Sequence, residues 1–115
     1  MDQLNHYRDT IERLLSEIVR LIERSSDTNP QLRNRTVFDR RSDNYLIVCE
    51  GWQGARRIDT NVVHLEIING KVWIQVDNTD QAIARQLEKA GVPKNDIVLG
   101  FQPPSVRPYT EYAAA

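Results

Sequence analysis

The stretch VHLEIINGKVWIQVD (residues 63–77) decides the fold class. Apolar and polar residues alternate on both sides of Asn69-Gly70, the period of a half-buried strand. Asn-Gly tolerates the positive φ angles of a two-residue type I′ turn, so the segment reads as a β-hairpin. That turn sets a register: Ile68 faces Lys71, Ile67 faces Val72, Glu66 faces Trp73, Leu65 faces Ile74, His64 faces Gln75 and Val63 faces Val76. Val63, Leu65, Ile67, Val72, Ile74 and Val76 then share one face, which must be core. His64, Glu66, Trp73, Gln75 and Asp77 share the other, a half-polar face of the kind antiparallel sheets leave to water or to a partner.

Upstream, RTVFDR (35–40) and NYLIVCEGW (44–52) flank the turn-like RSD, and RIDTNVVHLEII (57–68) lengthens the first arm of the Asn-Gly hairpin. CEGWQGARRID (49–59) is therefore a second hairpin tip, with a turn at Gly54-Ala55 or a three-residue turn; the two sort its side chains onto different faces. SSDTNPQ (25–31) is a turn-forming linker. Before it, residues 2–24 read as one helix: Leu4, Tyr7, Ile11, Leu14, Ile18 and Leu21 recur at spacings of three and four, and Leu15 and Ile22 widen the stripe. The stripe covers the sheet, but so long a helix outreaches a strand of ordinary length, and the overhang would suit a dimer partner.

Downstream, Asn78 with Gln81, or Thr79 instead, caps a second helix with its stripe at Ala82, Ile83, Leu87 and Ala90; Gly91 and Pro93 stop it. DIVLGF (96–101) is a short buried strand or core loop. The tail QPPSVRPYTEYAAA (102–115) is rich in proline and therefore extended, with Tyr109 and Tyr112 docking on the body. The expectation is a single α+β domain over residues 1–115: a long N-terminal helix, a four-stranded antiparallel sheet in a meander, a second helix and an extended C-terminal tail.

The totals fit one domain and exclude several functions. The chain has 115 residues, a formal charge of −1 and 27% charged residues. The charge is evenly divided between the two halves, which argues against a general nucleic-acid binder. The lone Cys49 rules out an internal disulfide and any cysteine-based zinc site, and its place in YLIVCE points to a buried, inert thiol. The start MDQLNHYRDT is acidic and polar, with no apolar signal-peptide core, and no run approaches the length of a membrane span. No membrane association and a cytoplasmic location are the expectation.

No catalytic constellation is visible. His6 and His64 lack metal-ligand spacing, no nucleophile has a partnering base, and GWQG is not a phosphate-binding loop. His64, Glu66 and Trp73 could form a small polar site, or a cross-strand contact on a solvent face. No enzyme, metal or cofactor is expected. Arginine supplies most of the basic side chains, and RNRTVFDRR (33–41) with Arg56 and Arg57 gathers six: Arg33, Arg35, Arg40, Arg41, Arg56 and Arg57. They would converge if the two hairpins lay side by side, to meet phosphates or an acidic protein; alternatively Arg40 and Arg41 pair with Asp39 and Asp43, and Arg57 with Asp59.

Five fragments in order carry a resemblance: LNHYR (4–8), FDRRSDNY (38–45), GWQGARRI (51–58), VHLEIINGKVWIQVD (63–77) and GVPKNDIVLGFQPPSVRPYTEYA (91–113). Together they resemble the XisI family, the fdxN element excision controlling factors, from end to end. Gln102 stands where the family pattern has a histidine before PP. The resemblance implies a small non-enzymatic factor that acts with an XisH-like protein to control excision of a DNA element by a site-specific recombinase during heterocyst differentiation. Trp52, Arg56, Arg57, Trp73, Arg107 and Tyr109 are the candidate partner-binding residues, in a protein expected to form a homodimer. The alternative is a DNA-binding accessory factor using the six arginines.

Overall fold

The computed structural model describes residues 2–25 and 29–115. The middle of the expected linker, residues 26–28, lies outside them. Helix α1 (Gln3–Arg24) begins at Asp2, whose carboxylate accepts from the amides of Leu4 at 3.0 Å and Asn5 at 3.4 Å. This satisfies two of the donors that a helix start leaves unpaired. Tyr7, Ile11, Leu14, Leu15 and Ile18 bury the stripe against the sheet, whereas Leu21 is 52% exposed. The overhang read from the heptad spacing is thus confined to the last turn.

Five strands follow in sheet order β1-β2-β3-β4-β5: β1 (Leu32–Asp39), β2 (Asn44–Gln53), β3 (Arg56–Ile68), β4 (Lys71–Asp77) and β5 (Ile97–Leu99). The first four form the expected antiparallel meander. The fifth, parallel to β4, corrects the four-stranded antiparallel sheet to a five-stranded mixed one. Helix α2 (Ile83–Lys89) crosses between β4 and β5, and a crossover returns the chain parallel. Three residues of strand are too few to show a period. The fold class remains α+β, with α1 and α2 on one sheet face.

Asn69 and Gly70 both have positive φ (51° and 79°), as the type I′ turn requires. The expected register holds from Ile68↔Lys71 to Leu65↔Ile74, then shifts at a β-bulge, so that His64 faces Val76 and Val63 faces Asp77. Gln75 is the extra residue. Val76 therefore leaves the core face for that of His64, and Asp77 crosses the other way.

Neither Asn78 nor Thr79 caps α2. Asp77 Oδ1 takes the Thr79 amide and hydroxyl, Thr79 Oγ1 takes the Gln81 amide, and Ala82, in the left-handed region at φ 52°, starts the helix. These side chains close their own turn instead of the helix. The other end follows expectation: Gly91 (φ 103°) terminates α2, with Gly91 N–H donating to Glu88 O and Val92 N–H to Leu87 O, both at 3.0 Å.

The tail is not extended throughout. It turns at Pro103–Val106, makes one 3-10 turn at Arg107–Tyr109, and returns to β5, where the Ala113 amide donates to Ile97 O at 2.8 Å. Tyr112 docks as expected, its hydroxyl donating to Glu88 at 2.6 Å, while Tyr109 does not: it is 88% exposed. Glu111 fixes this return, 3.0 Å from Arg85 and 2.7 Å from Lys94. Those two cations, Arg85 foremost, pull its carboxyl from 4.5 down to about 2. The contribution to stability is therefore present above pH 4.5 and lost as pH falls through about 2. Wild type should melt above the Glu111→Gln variant at pH 7, with the gap closing below pH 4.5; a gap that stays constant to pH 2 would contradict the assignment.

Candidate partner-binding surface

Strands β2 and β3 run beyond β4, which pairs with β3 only from Val63 onward. Their far ends form an arm whose tip, Trp52 to Arg57, is exposed. Gln53 faces Arg56, so the turn is the two-residue one at Gly54-Ala55, with Gly54 at φ 64°. Gly51 (φ 144°) anchors the arm's base, where the Trp52 amide donates to Gln31 O at 3.2 Å. Trp52 faces Arg57, whose guanidinium lies 5.6 Å from the indole centroid. Two residues along, Glu50 gathers three arginines: Arg33, Arg35 at 3.3 Å and Arg57 at 3.3 Å. The hydrogen bond from Arg33 leads in holding the Glu50 carboxyl below its usual range. Arg56 is exposed and has no ion pair among the described residues.

The other three candidates lie elsewhere. Trp73 faces Glu66, nine residues along β3 from Arg57, which is ~30 Å of strand. Arg107 stacks over Trp73 at 5.0 Å and donates to Gln102 O at 3.0 Å and Gly100 O at 3.3 Å. Its donors thus hold the C-terminal loop against the sheet, and Tyr109 projects from that loop into solvent. The six residues fall at opposite ends of the sheet: Trp52 and Arg57 share the open face on the arm, Arg56 alternates to the other face, and Trp73, Arg107 and Tyr109 lie at the far end. Between them, His64 Nε2 is 2.7 Å from Asn44 Oδ1, and Gln75 Nε2 donates to Glu66 at 3.3 Å. His64 and Glu66 therefore spend their polar atoms on separate partners. Among the described residues no group of three or more His, Cys, Asp or Glu is placed to hold a metal ion. Cys49 is buried, and burial pushes its thiol up.

The six arginines do not converge. Successive turns of a meander lie at opposite ends of the sheet, so Arg40 and Arg41 sit at the β1–β2 turn while Arg33, Arg35, Arg56 and Arg57 sit near the β2–β3 tip. Arg40 binds Asp9 at 2.6 Å and Glu12 at 2.8 Å on α1. The expected pairings with Asp39, Asp43 and Asp59 do not form: Asp39 accepts from Ser42 and the Arg41 amide, Asp43 takes Arg8, and Arg57 takes Glu50.

The chain matches the XisI protein family over residues 1–114. It belongs to the XisI family. Among solved structures it is similar to the fdxN element excision controlling factor XisI from Anabaena variabilis, with 40% identity and a TM-score of 0.85, covering 99% of this chain and 100% of that one. An XisI-like protein from the same organism gives 32% identity and a TM-score of 0.88 at the same coverage. A comparison with functionally curated proteins finds no match.

Two of the fragments that carry the XisI resemblance meet in space. Arg8 of LNHYR makes a two-pronged contact with Asp43 of FDRRSDNY, at 2.8 Å and 3.0 Å, and the Tyr45 hydroxyl donates to the same carboxylate at 2.9 Å. Asp43 has φ 58°, a conformation aspartate tolerates better than most residues. Tyr7 of the first fragment donates to Asp96 at 2.5 Å near the start of β5. Sequence reasoning missed these contacts, since nothing local in either fragment encodes the distance between them. In this XisI-family chain they hold α1 across the sheet, leaving the opposite face and the β2–β3 arm uncovered by helix.

Proposed function

We propose that this chain is a non-enzymatic accessory protein that acts with an XisH-like partner in the control of site-specific DNA excision. The observation that carries the reading is its full-length similarity, at 40% identity, to a protein described as an excision controlling factor. The arm supports a protein partner: an exposed tryptophan beside arginines is the composition that interface hot spots favour. The arginines favour protein over DNA. Four of the six are already neutralised in part by neighbouring carboxylates, and they are divided between two ends of the sheet. That leaves little segregated charge for releasing counterions from a duplex.

Co-expression with an XisH-like protein, followed by light scattering, tests the reading. The expected result is a stable mixed complex whose affinity falls about tenfold or more in Trp52→Ala, with the circular dichroism spectrum unchanged. Elution of the two proteins separately would overturn it.

A further inference from the structure

The β2–β3 arm has an unoccupied side. Residues 56–61 of β3 are paired to β2 along one edge, but β4 begins its pairing only at Val63. Because Gln53 and Arg56 close a two-residue turn, they form a hydrogen-bonded pair, and antiparallel alternation makes Gly51↔Ile58 and Cys49↔Thr60 the next ones. The amides and carbonyls of Arg57 and Asp59 therefore point outward, away from β2. The same alternation turns Asn61 outward, and there Asn78 Nδ2 donates to Asn61 O at 3.3 Å. The next residue, Val62, accepts the Asn78 amide at 2.9 Å, and before Asn61, among the described residues, no backbone bond meets this edge. A bare strand edge is a template for another strand.

We infer that this edge pairs with the same edge of a second copy of the chain, in an antiparallel, two-fold seam centred on Ile58. The charges select both the occupant and the register. Asn61 O is already taken by Asn78, which leaves Arg57 and Asp59 as the residues with free outward groups, so a two-fold pairing must place members of this pair opposite one another. Centring on Asp59 would set aspartate against aspartate, and centring on Arg57 would set arginine against arginine. Centring on Ile58 sets Arg57 against Asp59 of the second copy and repeats the pair by symmetry, while the two Ile58 side chains meet at the axis. Charges of one sign along the edge would have protected it by repulsion. The Arg-Ile-Asp order makes it complementary to itself.

The seam involves this chain alone, so the test uses no other protein. Sedimentation equilibrium of the full chain should show a dimer. Arg57→Asp and Asp59→Arg should each raise the dissociation constant at least about tenfold, since each places like charges opposite one another at two symmetric positions. An equimolar mixture of the two variants should restore dimerisation, because each then offers the sign the other lacks, and the double exchange should restore it within one chain. Circular dichroism of every variant reports the fold separately. A monomeric wild type would overturn the inference, as would a dimer indifferent to either single exchange or a mixture that fails to reassociate.

Discussion

Gly51→Ala should destabilise the protein by roughly 3–5 kcal/mol, or prevent β1 from docking on β2 at its outer end. Two independent costs coincide there. The backbone sits at φ 144°, which residues with a side chain rarely adopt, and a Cβ would come within 1.9 Å of the Gln31 carbonyl oxygen. That oxygen cannot retreat freely, because it accepts the Trp52 amide. Gly54→Ala is the informative contrast: φ is 64° and nothing lies within 4 Å of the added atom, so only conformational strain of about 1 kcal/mol remains. Urea unfolding of both variants measures the difference. Equal losses would mean that the close approach at Gln31 carries no weight.

Ile18→Ala should cost about 3 kcal/mol, whereas Leu21→Ala, one step further along the same heptad stripe, should stay within about 0.5 kcal/mol. Ile18 is 1% exposed and packs in the core between α1 and the sheet; Leu21 is half in solvent. Thermal unfolding of the two variants reads the difference directly. A loss at Leu21 comparable to that at Ile18 would show that something covers the end of α1 in solution.

How far the fold was legible follows from how local each signal is. Asn69-Gly70 fixes its hairpin because two adjacent residues supply the whole turn geometry. The bulge beside His64 was illegible: the alternation of apolar residues continues through it, and only the facing strand shows that Gln75 is extra. The start of α2 misled because Asp77 and Thr79 satisfy a turn with the same groups that cap helices. The tail's aromatic residues divided for a similar reason, Tyr112 finding Glu88 and Tyr109 finding nothing, a choice set by where β5 brings the chain back. At the candidate site, the pairing of Trp52 with Arg57 follows from strand register and was close to readable. The separation of the Trp52 and Trp73 clusters, and of the six arginines, depends on which end of the sheet each turn occupies. Composition carries no such information.

The position of α1 in the chain has a consequence for synthesis. Its apolar stripe is complete once Arg24 is added, yet the strands that bury it through Tyr45, Ile47, Val63 and Leu65 come later. At ~5–20 residues per second, the ribosome needs about 2–9 s to add the forty-odd residues up to the end of β3. An isolated hairpin closes in microseconds, so β1, β2 and β3 can assemble one after another as they emerge. The nascent helix meanwhile carries an uncovered oily face longer than any other element does. The first two dozen residues are thus the part of the nascent chain that waits longest for burial, and a slower passage through the codons that follow α1 would lengthen that wait.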